Sequence, residues 1–216
     1  MRLPALSPEQ FAARLAPWAP EGLPPGAVPA LFGHYDELRR WAATVDLLGP
    51  GAAEELFPRH YGESLAALPL LPPGPGRLVD LGSGAGFPGL VLAAARPDLE
   101  VTLVEARERR WAFLLAAVRK ARLSAHCLRA TVGAAPAPPL PRPIAVVTAR
   151  ALRITHSMVD ALAPLLLPDA RFLIWGGAAA PGPETGLCLL AEHPLAGSER
   201  RRIRVLALRP AGGPAR

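Results

Sequence analysis

Apolar residues recur along this chain in two rhythms, and the change from one to the other divides it. Near the start, Ser7, Pro8, Glu9 and Gln10 supply a capping hydroxyl, a first-turn proline and a side chain able to close a capping box. They predict a helix over residues 7–16, broken by the proline-rich run 17–29. Leu31, Tyr35, Leu38, Ala42 and Val45 then return at three- and four-residue steps, with Trp41 on the apolar side and Arg39 and Arg40 at the edge. That spacing predicts an amphipathic helix. A third helical piece is expected over residues 54–68, closed by a proline-rich linker, 69–75.

From Arg77 onward, short apolar runs alternate with helical stretches. Strands are expected at 78–81, 101–105, 125–129, 144–148 and 171–175, and helices at 90–95, 107–122 and 155–166. On helix 107–122, Trp111, Leu114, Leu115 and Val118 should share the buried face. A proline-rich loop separates the third and fourth strands, and a glycine- and alanine-rich loop follows Trp175. The runs 187–193 and 203–208 read as a closing hairpin around Gly197 and Ser198. This alternation predicts an α/β, Rossmann-like domain over residues 71–216, with a helical extension over 1–70. The sheet should be seven-stranded and mostly parallel, with an antiparallel last strand.

One stretch interrupts the rhythm. Leu78, Val79, Asp80 and Leu81 form a buried strand carrying one carboxylate, and Gly82, Gly84 and Gly86 then lead through Phe87 and Pro88 to Gly89 and a helix. Such a turn also serves as a plain tight connection, but it equally lets a ligand approach the main chain closely. A dinucleotide fingerprint requires G-x-G-x-x-G, and Phe87 stands where its third glycine would fall. The D-x-G-x-G-x-G spacing instead resembles that of methyltransferases binding S-adenosyl-L-methionine. Asp80 would then lie near the cationic methionine end. Glu105, ending the second strand roughly 20 residues on, is placed to accept from both ribose hydroxyls.

Composition changes the picture only modestly. Among 216 residues, 50% are hydrophobic, enough for one α/β domain with a sizeable core. Lys+Arg of 24 against Asp+Glu of 18 gives +6, and Lys120 is the only lysine. A basic surface suits a nucleic-acid partner, although arginine with so much alanine, proline and glycine also fits codon bias in a G+C-rich genome. Cys127 and Cys188 have no metal-ligand spacing, and the histidines are scattered, so neither a metal site nor a structural disulfide is expected. No run is long or apolar enough for a membrane span, which predicts a soluble cytoplasmic protein. Arg150, just past the fourth strand, can reach a cofactor or phosphate, or be an ordinary surface arginine.

With these pieces in place, the chain resembles the ribosomal RNA small-subunit methyltransferase G family, also called glucose-inhibited division protein B. The carriers are Trp41, Arg59-His60 with Ser64, the block from Val79 to Gly89, Arg96-Pro97, Glu105, Arg109, Phe113-Leu114, Ala149-Arg150-Ala151 and the Gly197 to Arg202 turn. The resemblance implies methyl transfer from S-adenosyl-L-methionine to guanine N7 in the 530 loop of 16S rRNA. It implies Asp80, Gly82, Gly84, Gly86, Phe87, Glu105, Ala130, Thr131 and Arg150 at the cofactor, Arg150 as the catalytic group, and Arg59, His60, Ser64 and Arg109 toward RNA. The expected partner is 16S rRNA or a small-subunit assembly intermediate, met by a monomer. The chain departs from the family pattern at Asp46-Leu47-Leu48, at Glu63 in place of aspartate, at Ala130 and Thr131 on the adenine side, and at Trp175 in place of lysine. These departures also fit a silent paralogue acting as a binding module, or a methyltransferase with another acceptor.

Overall fold

The computed structural model describes residues 3–19, 22–49, 51–176 and 181–210. Helix α1 (Pro8–Leu15) carries the complete capping box: Gln10 N–H donates to the Ser7 hydroxyl, and the Gln10 side chain accepts from Ser7 N–H. Its buried residues are Phe11 and Leu15. Helix α2 (Ala27–Trp41) begins earlier than its apolar spacing predicts and stops short of Val45. Pro29 is tolerated because first-turn N–H groups have no intrahelical partner to lose. The third piece is less regular than expected. A π-type segment, Leu56–Gly62, runs into the single helical turn α3 (Glu63–Leu65).

The remaining elements follow as β1 (Gly76–Leu81), α4 (Gly89–Ala95), β2 (Leu99–Glu105), α5 (Glu108–Ala121), β3 (Ala125–Arg129), β4 (Ile144–Arg150), α6 (His156–Leu162), β5 (Leu166–Gly176), β6 (Leu187–Pro194) and β7 (Arg202–Leu208). They form one seven-stranded sheet in the order β3-β2-β1-β4-β5-β7-β6. The first five strands pair in parallel, and β7 runs antiparallel to both β5 and β6. The expected fold class therefore holds. Strand order reverses between β1 and β4, and a crevice opens beyond the carboxyl ends of strands at such a switch point.

Both faces of the sheet are covered, so successive strand residues are buried on alternate sides. Leu78, Val101, Leu103, Val146 and Leu173 share a core with α1, α2, α4 and α5, whereas Val79, Val104, Val147 and Phe172 pack with Val159 and Leu162 of α6. Each such fully buried side chain contributes about 2 kcal/mol. The N-terminal helices thus belong to the same core that carries the glycine turn. The face of α5 needs correction: Phe113, Leu114, Ala117 and Ala121 are buried, while Leu115 is 43% exposed. Helix α5 packs against α2 as well as the sheet, and two partners select a different stripe from the one spacing alone suggested. Of the glycine- and alanine-rich loop, residues 177–180 lie outside the described residues. No described helix is long and apolar enough to cross a membrane.

Candidate functional site

The turn after β1 does two jobs. Gly84 has φ +52°, a conformation that strains an L side chain, and a Cβ built there would meet only the Gly82 carbonyl at 3.7 Å and Glu105 Oε2 at 4.0 Å. Its free side opens into space. Gly89 is the opposite case: a Cβ would come within 2.5 Å of Leu103 and 2.6 Å of Asp80, so α4 seats directly on β1 and β2. Gly86 is also packed, with a Cβ falling 3.1 Å from Leu90 and 3.2 Å from His34 Nε2, and Gly82 lies against Leu152.

Glu105 closes the cradle from the end of β2. Its Oε2 accepts from Gly84 N–H at 3.0 Å and its Oε1 from Arg107 N–H at 2.8 Å. A carboxylate has about four acceptor positions, so lone pairs remain on both oxygens. Glu105, Gly82, Ala130, Thr131, Leu152 and Met158 line a cleft of about 270 Å³ at the carboxyl edge of the sheet. The structure therefore brings together Gly82, Glu105, Ala130 and Thr131 at the cleft, with Gly84 bonded to Glu105 behind the lining. This lining can hold a nucleoside: Glu105 offers acceptors, Arg107 and Arg110 are cations, and Leu81, Val104, Leu152 and Met158 supply apolar surface.

Asp80 lies beneath the turn and is fully buried. Its Oδ1 accepts from the Thr148 hydroxyl at 2.6 Å and its Oδ2 from Gly89 N–H at 3.3 Å. Burial pushes its pKa up to about 6, against the hydrogen bonds from Thr148, Ser83 and Gly89, and the nearby Glu105 adds to the rise. The side chain braces the junction of β1, β4 and α4 rather than lining the cleft.

Beside the turn lies a second cluster, drawn from four distant parts of the chain. Glu63 accepts from Arg201 Nε at 2.6 Å and stands 3.7 Å from Arg150 Nη2. Arg150 is 12% exposed, and its Nη1 is buried without a hydrogen-bond partner, as is Arg59 Nε. Burial lowers the Arg150 pKa to about 10, with Glu63 opposing and Arg59 and Arg201 adding, so it remains a cation at neutral pH. His60 is driven down to about 3 by burial first and then by Arg150, Arg59 and Arg201, and is neutral. Its ring lies 5.1 Å from that of Phe87. Phe87 also meets His34 and Tyr61 edge-on, each at 5.1 Å, which ties the turn to the N-terminal helices.

Two residues expected toward RNA also bond within the chain. The Ser64 hydroxyl donates to the His60 carbonyl at 2.6 Å and is buried, and Arg109 Nη2 donates to the Thr44 carbonyl at 2.9 Å. Trp175 Nε1 donates to the Glu63 carbonyl at 2.9 Å, so two family departures touch each other. His34, Tyr61 and Arg201 were missed by sequence reasoning. His34 carried one signal, a polar residue on the buried stripe of α2, whereas Arg201 was marked only as part of the Gly197 to Arg202 turn, with nothing to tie it to Glu63.

The sheet order, with its parallel core and antiparallel β7, defines a Rossmann-like α/β protein whose glycine turn and terminal acid of β2 meet at one edge of the sheet. Solved structures share this fold: one of MtNAS in complex with MTA and tNA, with TM-score 0.58 and 15% identity, matches 86% of this chain and 76% of that one. A glycopeptide N-methyltransferase MtfA complexed with sinefungin gives TM-score 0.57 and 10% identity over 69% of this chain and 87% of its own. Residues 28–181 match the family model for rRNA small subunit methyltransferase G, GidB, and the chain belongs to that family. Among curated relatives, Ribosomal RNA small subunit methyltransferase G of Acidiphilium cryptum is 41% identical over 143 residues, 65% of this chain and 64% of that protein. The one from Desulfotalea psychrophila is 48% identical over 94 residues, 43% of each chain. The chain thus spans less than two thirds of the length of these relatives.

Proposed function

We propose that this protein transfers a methyl group from S-adenosyl-L-methionine to guanine N7 in the 530 loop of 16S rRNA. The observation that carries this reading is the glycine turn, bonded through Gly84 to Glu105, meeting a cleft that Gly82 and Glu105 line, with Arg150 Nη1 buried and unpaired in the neighbouring cluster. Family membership and the relatives' names support the acceptor. Bound there, S-adenosyl-L-methionine supplies an electrophilic methyl group on a sulfonium.

The chain's own residues then have modest work to do. Guanine N7 carries a free lone pair, so attack needs no base, and catalysis reduces to alignment and electrostatics. Glu105 holds the ribose hydroxyls, the open face of Gly84 admits the cofactor against the backbone, and Ala130 and Thr131 wall the adenine end. Arg150 Nη1 donates to an acceptor on the guanine edge such as O6, the contact a guanidinium makes best. His60 and Phe87 flank the base, while Arg59 and Arg201 face the phosphates. Residues 71–216 form the methyltransferase domain and residues 1–70 an extension that closes its acceptor side. The protein works as a cytoplasmic monomer on the small subunit or an assembly intermediate.

Methyl incorporation into under-methylated small subunits, measured beside calorimetric titration of S-adenosyl-L-methionine, tests the reading. Tight cofactor binding without incorporation would reject the rRNA acceptor and leave a different one. No cofactor binding would favour a silent paralogue.

A further inference from the structure

His34 stands outside the residues assigned above, yet it touches the turn directly. It sits on α2, fully buried, with Nε2 2.8 Å from the Ala85 carbonyl and Nδ1 2.9 Å from the Tyr61 hydroxyl. A carbonyl only accepts, so Nε2 carries the proton, and Nδ1 accepts from Tyr61. The same peptide is held from its other side, since Gly86 N–H donates to the Ser83 carbonyl at 2.7 Å. Ser83 N–H in turn donates to the Val104 carbonyl at 3.0 Å, and Gly84 N–H to Glu105. The other hydrogen bonds that shape this turn come from the turn itself, β1, β2 and α4: the Ser83 hydroxyl donates to the Asp80 carbonyl, and Leu90 N–H to the Gly86 carbonyl. Among the described residues, the bond from His34 is the one contributed by the N-terminal helices.

We infer that His34 is a positioning residue for the cofactor turn, its Nε2–H clamping the Ala85–Gly86 peptide while Tyr61 fixes the tautomer that can donate. The inference rests on the turn being a cofactor cradle, as proposed above. Its physical basis is that a peptide anchored at one end only can rotate, and rotation here would shift the turn whose Gly84 N–H braces Glu105 at the cleft. Packing reinforces the clamp, because the His34 ring fills the space a Gly86 side chain would need and lies edge-on to Phe87. The N-terminal helices thereby set the geometry of a site to which they contribute no cleft-lining residue.

Three variants separate clamping from mere packing. His34→Gln places an amide N–H near the position of Nε2, His34→Leu removes the donor while keeping bulk, and Tyr61→Phe removes only the hydroxyl that selects the tautomer. In the protein without cofactor, amide hydrogen exchange of residues 83–87 should quicken about tenfold or more in His34→Leu, beyond what its loss of global stability explains, and return close to parent in His34→Gln. Tyr61→Phe should fall between. Calorimetry should show S-adenosyl-L-methionine affinity following the same order, with about a tenfold loss for His34→Leu. Unchanged turn exchange in His34→Leu would overturn the inference whether or not the cofactor binds. So would quickened exchange that His34→Gln fails to restore, or a parent-like affinity in His34→Leu. A parent that binds no S-adenosyl-L-methionine would instead sink the function reading, leaving the exchange measurements to judge the clamp.

Discussion

Gly84 N–H donates to Glu105 Oε2 at 3.0 Å, joining the turn after β1 to the last residue of β2. The acid expected to bind a ribose is therefore also a brace for the backbone that the ligand approaches. Glu105→Gln keeps the size but leaves an amide with one accepting oxygen to serve two backbone N–H groups, from Gly84 and Arg107. S-adenosyl-L-methionine affinity should fall by about tenfold or more, measured by calorimetry. Unaltered affinity would make Glu105 a structural brace alone.

Gly84 and Gly89 should respond to alanine in opposite ways. Gly84→Ala meets no close neighbour but strains a positive φ, a cost of roughly 1–3 kcal/mol, and its methyl group lies 4.0 Å from Glu105 Oε2, which lines the cleft. Cofactor binding should fall far more than melting accounts for. Gly89→Ala forces a methyl group into Asp80 and Leu103, so unfolding should dominate, by about 3 kcal/mol or more. Chemical denaturation beside calorimetry distinguishes them, and a Gly84→Ala protein that binds like the parent would remove the cradle.

Arg150 offers a test on the acceptor side. Arg150→Lys keeps a charge but loses the planar fork, and Glu63 retains its short bond to Arg201. Methyl transfer to small subunits should drop by about a hundredfold while cofactor affinity stays within about threefold. Equal losses in both would move Arg150 to the cofactor.

Stability should depend on pH through buried groups of opposite sign. His34, lowered from 6.5 to about 4 by burial against its bond to Ala85, binds fewer protons folded than unfolded across that window. It destabilises the fold as pH falls from 6.5 toward 4, on the order of 3 kcal/mol. Asp80, raised from 3.8 to about 6, binds more protons folded, and so costs stability as pH rises through the same range. An Asp80→Asn protein should therefore gain stability over the parent progressively from pH 4 to pH 6, as read from urea unfolding at each pH. A constant difference across that range would place an ordinary carboxyl pKa on Asp80.

The sequence by itself determined the local features. Capping at Ser7, the seven strands and their order along the chain, the turn at Gly84 and the acid at Glu105 were all legible. Each depends on residues near one another in the chain, through hydrogen bonding, alternation or backbone freedom. Where local spacing met two packing partners, as at Leu115, it misled. Tertiary structure alone decided which polar groups meet. Glu63, Arg150, Trp175 and Arg201 converge from α3, β4, β5 and the turn before β7, and no periodicity links positions so far apart. Asp80 could be read as a ligand contact until its carboxylate was found fully buried beneath the turn, bonded to Thr148 and Gly89 and away from the cleft lining. The placement of His34 against Ala85 likewise follows only once α2 packs beside α4, because a buried polar side chain takes its role from the partner that folding brings to it.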